Sequence, residues 1–179
     1  WNQTVSDGKK IFETLAKFRA MRLLWARVLK AAGLADAPLR LHAETSWRMM
    51  ASLDPHTNIL RATAAVFGAS LGGADSITVL PFSLKQGLPN GFARRVARNV
   101  QNVLAAESNL WRVNDPASGA GYIETYTQGL CEKAWDIFQA TERGDWPKPD
   151  PGRKDVLPVI GTEAYRLPTE YPAEVEALA

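Results

Sequence analysis

Apolar residues recur at helical spacing near the amino end of the chain, where residues 6–34 have the sequence SDGKKIFETLAKFRAMRLLWARVLKAAGL. This spacing predicts one long amphipathic helix. Its apolar stripe consists of Ile11, Leu15, Phe18, Leu24 (or Trp25) and Val28. We expect Ser6 or Asp7 to cap its start and Gly33 to take the left-handed conformation after its end. The lysines and arginines between the apolar positions predict a solvated face.

Two short segments further along have the pattern of β-strands. In the first, residues 37–46 (APLRLHAETS), apolar side chains alternate with polar ones. The alternation sets Leu39, Leu41 and Ala43 against Arg40, His42 and Glu44. The second, residues 74–82 (ADSITVLPF), is rich in β-branched residues. Between them, residues 54–73 predict a helix with Asp54 as its cap, Pro55 in its first turn and two glycines at its end.

Two further helices and a proline-rich tail follow. Residues 88–108 predict the first helix, and a longer one is expected from about Tyr122, after a tight turn at 118–122 (SGAGY). Residues 145–179 hold six of the 11 prolines, which is typical of an extended arm or a linker. The expected apolar stripes are Phe92, Val96, Val100, Val103 and Leu104 in the first helix, and Tyr122, Tyr126, Leu130, Ala134, Trp135 and Phe138 in the second.

The order of these elements indicates the fold class. A strand, a helix and a second strand imply parallel pairing with a right-handed crossover. A closed (β/α)8 barrel needs about 250 residues, more than the 179 of this chain. We therefore predict an α/β protein that is the C-terminal part of a TIM barrel, with its last two strands and trailing helices in residues 1–144. An extended arm follows in residues 145–179.

Composition narrows the classes of function. Apolar residues make up 46% of the chain and the net charge is +2, which is typical of a globular protein with no nucleic-acid or membrane partner. No apolar run approaches the ~20 residues of a membrane span, and WNQTVSDGKK lacks the apolar core of a secretory signal. Cys131 alone cannot form an internal disulfide, which predicts a reducing, cytoplasmic location. Two histidines and one cysteine exclude a structural zinc site.

Seven segments, in order between Phe12 and Pro168, resemble the methylmalonyl-CoA mutase family. They are AKFRAMRLLWARV, RLHAETS, DPHTNILRAT, LGGADSITVLPF, LPNGFARRVARNVQNVLAAES, VNDPASGAGYIETYT and EKAW. The resemblance implies an adenosylcobalamin-dependent isomerase of methylmalonyl-CoA and succinyl-CoA, whose barrel binds the acyl-CoA and whose separate C-terminal domain binds cobalamin. LGGADSITVLPF resembles the eighth strand of the small, non-catalytic subunit, which forms a heterodimer with a catalytic large subunit.

The resemblance also implies where acyl-CoA contacts would lie. The catalytic members have HCQTSG and GGTQS where this chain has HAETSW and GGADS. His42 matches the histidine that faces the CoA chain, and Ser76 is kept. Glu44 and Asp75 replace glutamines, and their carboxylates would repel an acyl-CoA that carries phosphates. These four positions are thus expected to be vestigial substrate contacts.

The positions that contact the cofactor in catalytic members are replaced. Trp47 stands where a glycine lies close to the corrin ring, and Leu84 and Lys85 stand where a Glu-Ala pair contacts the cofactor. DPHTNI contains Asp-x-His, but Ile59 occupies the glycine position of the D-x-H-x-x-G cobalt-ligand motif, so His56 is not expected to bind cobalt. We therefore assign this chain no catalytic residue, no metal ligand and no bound cofactor.

Several residues keep two interpretations at this stage. His42 is a substrate contact or a hydrogen-bonded interior histidine. Glu44 and Asp75 form an acid–base pair, or they are partners of Arg40, His42 or another barrel residue. The basic run RRVARN at 94–99 is a solvated face or a rim for CoA phosphates.

The sequence thus predicts a structural, small-subunit-like component that supports and solubilises a catalytic large subunit. One alternative is a diverged catalytic acyl-CoA mutase chain, and Trp47 speaks against it. Another is an independent binding module of two strands and four helices, which the bare edges of a two-stranded parallel sheet make unfavourable.

Overall fold

The computed structural model describes residues 2–5, 11–145, 162, 164–165 and 167–177, with only the backbone of residues 2–5. The elements are β1 (Asn2–Val5), α1 (Ile11–Ala31), β2 (His42–Thr45), a 3₁₀ turn (Trp47–Met49), α2 (Thr57–Leu71), β3 (Ser76–Thr78), β4 (Leu88–Pro89), α3 (Gly91–Ala106), α4 (Gly121–Glu142) and β5 (Val175–Glu176). The predicted caps Ser6 and Asp7 lie outside the described residues. The mixture of helices and strands is compatible with an α/β fold.

The main sheet has three parallel strands in the order β1-β2-β3, so the prediction of two strands was wrong. His42 pairs with Asn2 on one side and with Ser76 on the other. The residues of β1 read NQTV, which is too short and too polar to show an apolar alternation. The pairing with β2 is therefore what makes this segment a strand.

The apolar alternation predicted for β2 is confirmed. Leu41, Ala43 and Thr45 are buried, whereas His42 and Glu44 are half-buried. The buried side of the sheet packs into one apolar cluster with α1 and α2. Members of this core include Phe18, Leu41, Ala43, Met50, Ala62, Ala65, Val66, Ala69 and Val79. The opposite side of β2 and β3 is the one that carries polar side chains.

The solvated basic face predicted for α1 is wrong in part. The guanidinium of Arg19 donates to Asp115 at 3.0 Å and to Glu124 at 2.8 Å. The guanidinium of Arg27 lies 4.0 Å from the centre of the Trp135 ring. Because α4 and the turn before it pack along α1, these arginines contact protein groups and not only water.

The ends of the first two helices are set mainly by glycine. Gly33 has φ +66° after α1, and the next amide, that of Leu34, donates to the Leu29 carbonyl at 3.0 Å, as predicted for a left-handed cap. The turn after α2 contains Gly73 at φ +81°.

The cap predicted at Asp54 is wrong, because α2 begins at Thr57. The Asp54 carboxylate instead accepts a hydrogen bond from the Thr57 hydroxyl, within the turn before the helix.

The apolar stripes predicted for α3 and α4 are wrong only in part, because Leu104 of α3 is buried as predicted and Tyr126, Leu130, Ala134 and Trp135 of α4 are half-buried. In α3 the buried residues are Ala93, Ala97 and Leu104, while Phe92 and Val103 are exposed. Ala97 and Leu104 of α3 belong to the same apolar cluster as Ala62, Ala65 and Val66 of α2. In α4 the buried residues are Ile123 and Thr127, while Tyr122 is exposed. The tight turn predicted at 118–122 lies at 117–120, where the Ala120 N–H donates to the Ala117 carbonyl at 3.1 Å and Gly119 has φ +81°.

The last part of the proline-rich arm returns to the body of the protein. Residues 146–161 of the predicted arm lie outside the described residues. Within residues 167–177, which we call the C-terminal strap, β5 pairs antiparallel with β4. The Arg94 guanidinium donates to Glu176 of β5 and to the Pro89 carbonyl of β4. The strap therefore lies against the segment between β3 and α3.

None of the helices in the described ranges combines the length and the apolar character needed to cross a membrane.

Candidate functional site

The polar side of the sheet carries a hydrogen-bonded cluster around His42. Since β2 and β3 are in parallel register, His42 lies beside Ser76, and Glu44 lies beside Thr78. The Nδ1 atom of His42 is 2.7 Å from Ser76 Oγ, and its Nε2 atom is 3.1 Å from Thr78 Oγ1. Both ring nitrogens therefore have hydroxyl partners, as the interpretation of a hydrogen-bonded histidine requires.

The sequence reasoning placed Ser76 at this site but missed Thr78. The signal was present, because side chains two residues apart on a strand share a face. The structure brings together His42, Ser76 and Thr78, and it places Glu44 at the next position of the same face.

Asp75 lies away from this cluster, at the amino end of β3. Its Oδ2 atom accepts hydrogen bonds from the Leu41 N–H at 2.7 Å and from Arg22 Nη2 at 3.0 Å. Arg22 also donates to the carbonyls of Leu39, at 2.6 Å, and Gly73. These contacts tie α1 to the amino ends of β2 and β3, and the structure does not bring Asp75 together with Glu44.

The surroundings of Asp75 keep its carboxyl ionised. Partial burial pushes the pKa of Asp75 up, but the hydrogen bonds from the Leu41 N–H and Arg22, together with the positive charge of Arg22, outweigh that effect. The pKa of Asp75 is consequently lower than that of an ordinary aspartate. This is the behaviour of a structural ion pair and not of a proton donor at neutral pH.

The carboxyl edge of the sheet carries the residues that replace cofactor contacts in the resemblance. Trp47 follows β2 and is 48% exposed, and the Nζ atom of Lys85 lies 5.3 Å from the centre of its ring. An ammonium at this distance from an indole ring is attracted by the negative face of the ring. Leu84 is half-buried in the turn after β3, where its N–H donates to the Pro81 carbonyl at 3.1 Å. The structure thus brings Trp47 and Lys85 together.

Two loops meet at this edge, the β2–α2 loop (46–56) and the β3–α3 loop (79–90), and Asn58 joins them. The Asn58 side chain is fully buried. Its Oδ1 atom accepts from the Ala51 N–H at 3.0 Å, and its Nδ2 group donates to the carbonyls of Ala51 at 2.8 Å and Phe82 at 2.9 Å. Sequence reasoning missed Asn58, although it lies four residues before Ala62 on the buried stripe of α2.

The remaining candidates have structural surroundings. His56 is exposed, and its ring centre lies 5.1 Å from that of Phe82. Among the residues that the structure describes, no three His, Cys, Asp or Glu side chains are grouped to hold a metal ion. In the run 94–99, Arg94 binds the C-terminal strap and the Arg95 guanidinium lies 5.7 Å from the centre of the Phe92 ring.

Comparison with known proteins identifies the family of this sheet and its loops. The family model for methylmalonyl-CoA mutase matches residues 4–145. The chain belongs to the methylmalonyl-CoA mutase family. This is a family of isomerases, and it is generally cobalamin-dependent. The match covers all of the sheet and helix elements described above except β1, of which it includes the second half, and β5.

Individual relatives carry more specific names. The chain is 52% identical to the methylmalonyl-CoA mutase small subunit of Streptomyces virginiae over 135 residues, which is 75% of this chain and 22% of that protein. It is 47% identical to the small subunit of Propionibacterium freudenreichii subsp. shermanii, over 74% of this chain and 21% of that protein. It is 36% identical to the methylmalonyl-CoA mutase of Escherichia coli, over 74% and 19%. The chain therefore spans about a fifth of the length of the curated relatives that it matches.

Proposed function

We propose that this chain is part of the small subunit of a methylmalonyl-CoA mutase, and that its role is structural. It would support and solubilise a catalytic large subunit in a heterodimer, and the complex would interconvert methylmalonyl-CoA and succinyl-CoA. The names of the Streptomyces and Propionibacterium relatives support this proposal. No step of the isomerisation is assigned to a residue of this chain.

The observation that carries the proposal is the contact between Trp47 and Lys85 at the carboxyl edge of the sheet. Ligands of open and closed α/β sheets bind at the carboxyl ends of parallel strands. A corrin ring is flat and needs an unobstructed surface there, but this edge presents a large indole with an ammonium over its face. The residues present do not fit adenosylcobalamin, so we propose that the large subunit binds it.

The His42 cluster supports a vestigial substrate site. We propose that His42, Glu44 and Ser76 line the interior of a barrel, because they share the sheet face opposite the apolar core. Both nitrogens of His42 are engaged by hydroxyls, and a carboxylate lies at the next position. These features disfavour a contact with an acyl-CoA, whose CoA part carries phosphates. Asp75 would belong to the vestigial site only by resemblance, because it is held by Arg22.

The architecture is also a proposal. We propose that residues 1–144 belong to a (β/α)8 TIM barrel and that residues 145–179 form an arm that follows it. The parallel order β1-β2-β3 with helical connections supports this proposal, since strands of such a barrel are parallel and joined by helices. The cytoplasmic location of the complex remains a prediction of the cysteine content.

The first test is native isolation of the endogenous protein, followed by intact mass measurement of every chain recovered. We expect a larger, cobalamin-containing partner at one to one. Recovery of a lone 19.7 kDa monomer would contradict the small-subunit proposal and favour an independent module.

A second test concerns the cofactor directly. Adenosylcobalamin is titrated into the isolated chain, and binding is followed by the visible spectrum of the corrin. We expect no spectral change with the unmodified chain. Binding by the unmodified chain would support the alternative of a diverged catalytic chain.

A further inference from the structure

The C-terminal strap touches both loops of the carboxyl edge. The Asp54 N–H in the β2–α2 loop donates to Glu170 of the strap at 2.9 Å. In the β3–α3 loop, β4 pairs with β5 of the strap. Residues more than 80 positions apart in the sequence thus meet at the edge that carries Trp47 and Lys85.

Gln86 is the residue at which the three segments join. Its Nε2 group donates to the Ser52 carbonyl of the β2–α2 loop at 2.8 Å. Its Oε1 atom accepts from the Ala173 N–H of the strap at 2.8 Å. Its own N–H donates to the Ser83 carbonyl at 2.8 Å, which fixes the turn that it shares with Lys85. A primary amide is required here, because one end must donate and the other must accept.

The neighbouring residue of the turn reinforces this junction. Gly87 packs against Val175 of the strap, and a Cβ atom at Gly87 would lie 3.2 Å from Val175 Cγ2. The strap therefore lies directly on the backbone of the β3–α3 loop, one residue after Gln86.

We propose that Gln86 is a positioning residue and that, with the C-terminal strap, it holds the two loops so that Lys85 lies over Trp47. The C-terminal strap, which follows the helices of the proposed barrel, would then determine the shape of the carboxyl edge. This inference deepens the proposed function, because it names what keeps the blocked edge in place. Its test measures the loops and not cobalamin binding, so the two can fail separately.

The test compares the full chain with Gln86→Glu and with Gln139→Glu, the same change at an exposed position of α4. At neutral pH a glutamate at 86 still accepts from Ala173 but cannot donate to Ser52. We expect amide hydrogen exchange to become about two- to tenfold faster in 46–56 and 79–90 as one hydrogen bond between the loops is lost. The control should leave both loops unchanged. Faster exchange confined to 79–90 would overturn the proposal.

A second variant, Ala173→Pro, tests the contact with the strap and keeps the proposal testable if Gln86→Glu fails to fold. It removes the N–H that donates to Gln86 Oε1. We expect faster exchange in 79–90 and 167–177. In chain labelled with 5-fluorotryptophan, the fluorine resonance of Trp47 is assigned with Trp47→Phe. We expect it to shift in Lys85→Met, and to shift in the same direction in Ala173→Pro and Gln86→Glu. An unshifted Trp47 resonance in both variants would show that Gln86 does not position Lys85.

Discussion

Replacement of Asn58 by alanine tests the brace between the two loops of the carboxyl edge. Asn58 is buried without solvent access, and its side chain serves three backbone groups, the N–H and carbonyl of Ala51 and the carbonyl of Phe82. It also accepts from Arg61 Nη1 at 2.6 Å. Alanine has no side-chain donor or acceptor, so these three backbone groups lose their hydrogen bonds to residue 58.

The expected loss of stability follows from this geometry. A hydrogen bond contributes about 1 kcal/mol net, and a buried group left without a partner costs about 1–3 kcal/mol. Three backbone groups therefore predict that Asn58→Ala lowers the free energy of unfolding by about 3 kcal/mol. The exposed Asn102 of α3 is a matched control, and Asn102→Ala should change stability by no more than about 0.5 kcal/mol.

Urea unfolding followed by tryptophan fluorescence measures the difference. With a slope of about 2 kcal/mol per molar urea, the midpoint of Asn58→Ala should fall by about 1.5 M. The slope itself should not change, because the variant removes contacts without changing the compactness of the folded or the unfolded state. A midpoint within about 0.3 M of the Asn102→Ala control would refute the claim that Asn58 braces the loops.

Three further predictions concern other contacts. Asp75→Ala should lower the free energy of unfolding by about 2 kcal/mol at pH 7 through loss of the acceptor for Leu41. Because the pKa of Asp75 is lowered in the folded state, its contribution is full above about pH 4 and is lost as the pH falls through the lowered pKa. Gly72→Ala places a Cβ 2.9 Å from the Cβ of Phe18 and should cost about 1–3 kcal/mol. Burial raises the pKa of the Cys131 thiol, so its alkylation in the folded chain should begin at higher pH than in urea.

Each of these has a result that would contradict it. An Asp75→Ala deficit of equal size at pH 7 and pH 3 would show that its charge is irrelevant. Gly129→Ala is the control for Gly72, because nothing lies within 4 Å of its added Cβ, and it should gain about 0.5–1 kcal/mol. Equal gains at Gly72 and Gly129 would refute the close packing of α2 on α1. Identical alkylation profiles for the folded and unfolded chain would refute burial of Cys131.

Local patterns were sufficient for much of the fold. The 3.6-residue apolar period predicts α1. Gly33 ends this helix at φ +66°, and this end could be predicted because a left-handed cap involves only neighbouring backbone atoms. The alternation around His42 predicts which side of β2 is buried, since successive side chains of a strand point to opposite faces. The family also follows from short segments in order, as the match over residues 4–145 confirms.

Contacts between distant residues could not be predicted from such patterns. Segment NQTV becomes β1 only because β2 pairs with it. Arg22 belongs to the face that the sequence predicts to be solvated, but the fold places Asp75, at the amino end of β3, against it. The meeting of Trp47 with Lys85, and of Gln86 with both Ser52 and Ala173, depends on loops that are far apart in the chain. Sequence spacing determines which side chains share an element. The packing of elements decides which polar groups come into contact, because those groups belong to segments that are far apart in the chain.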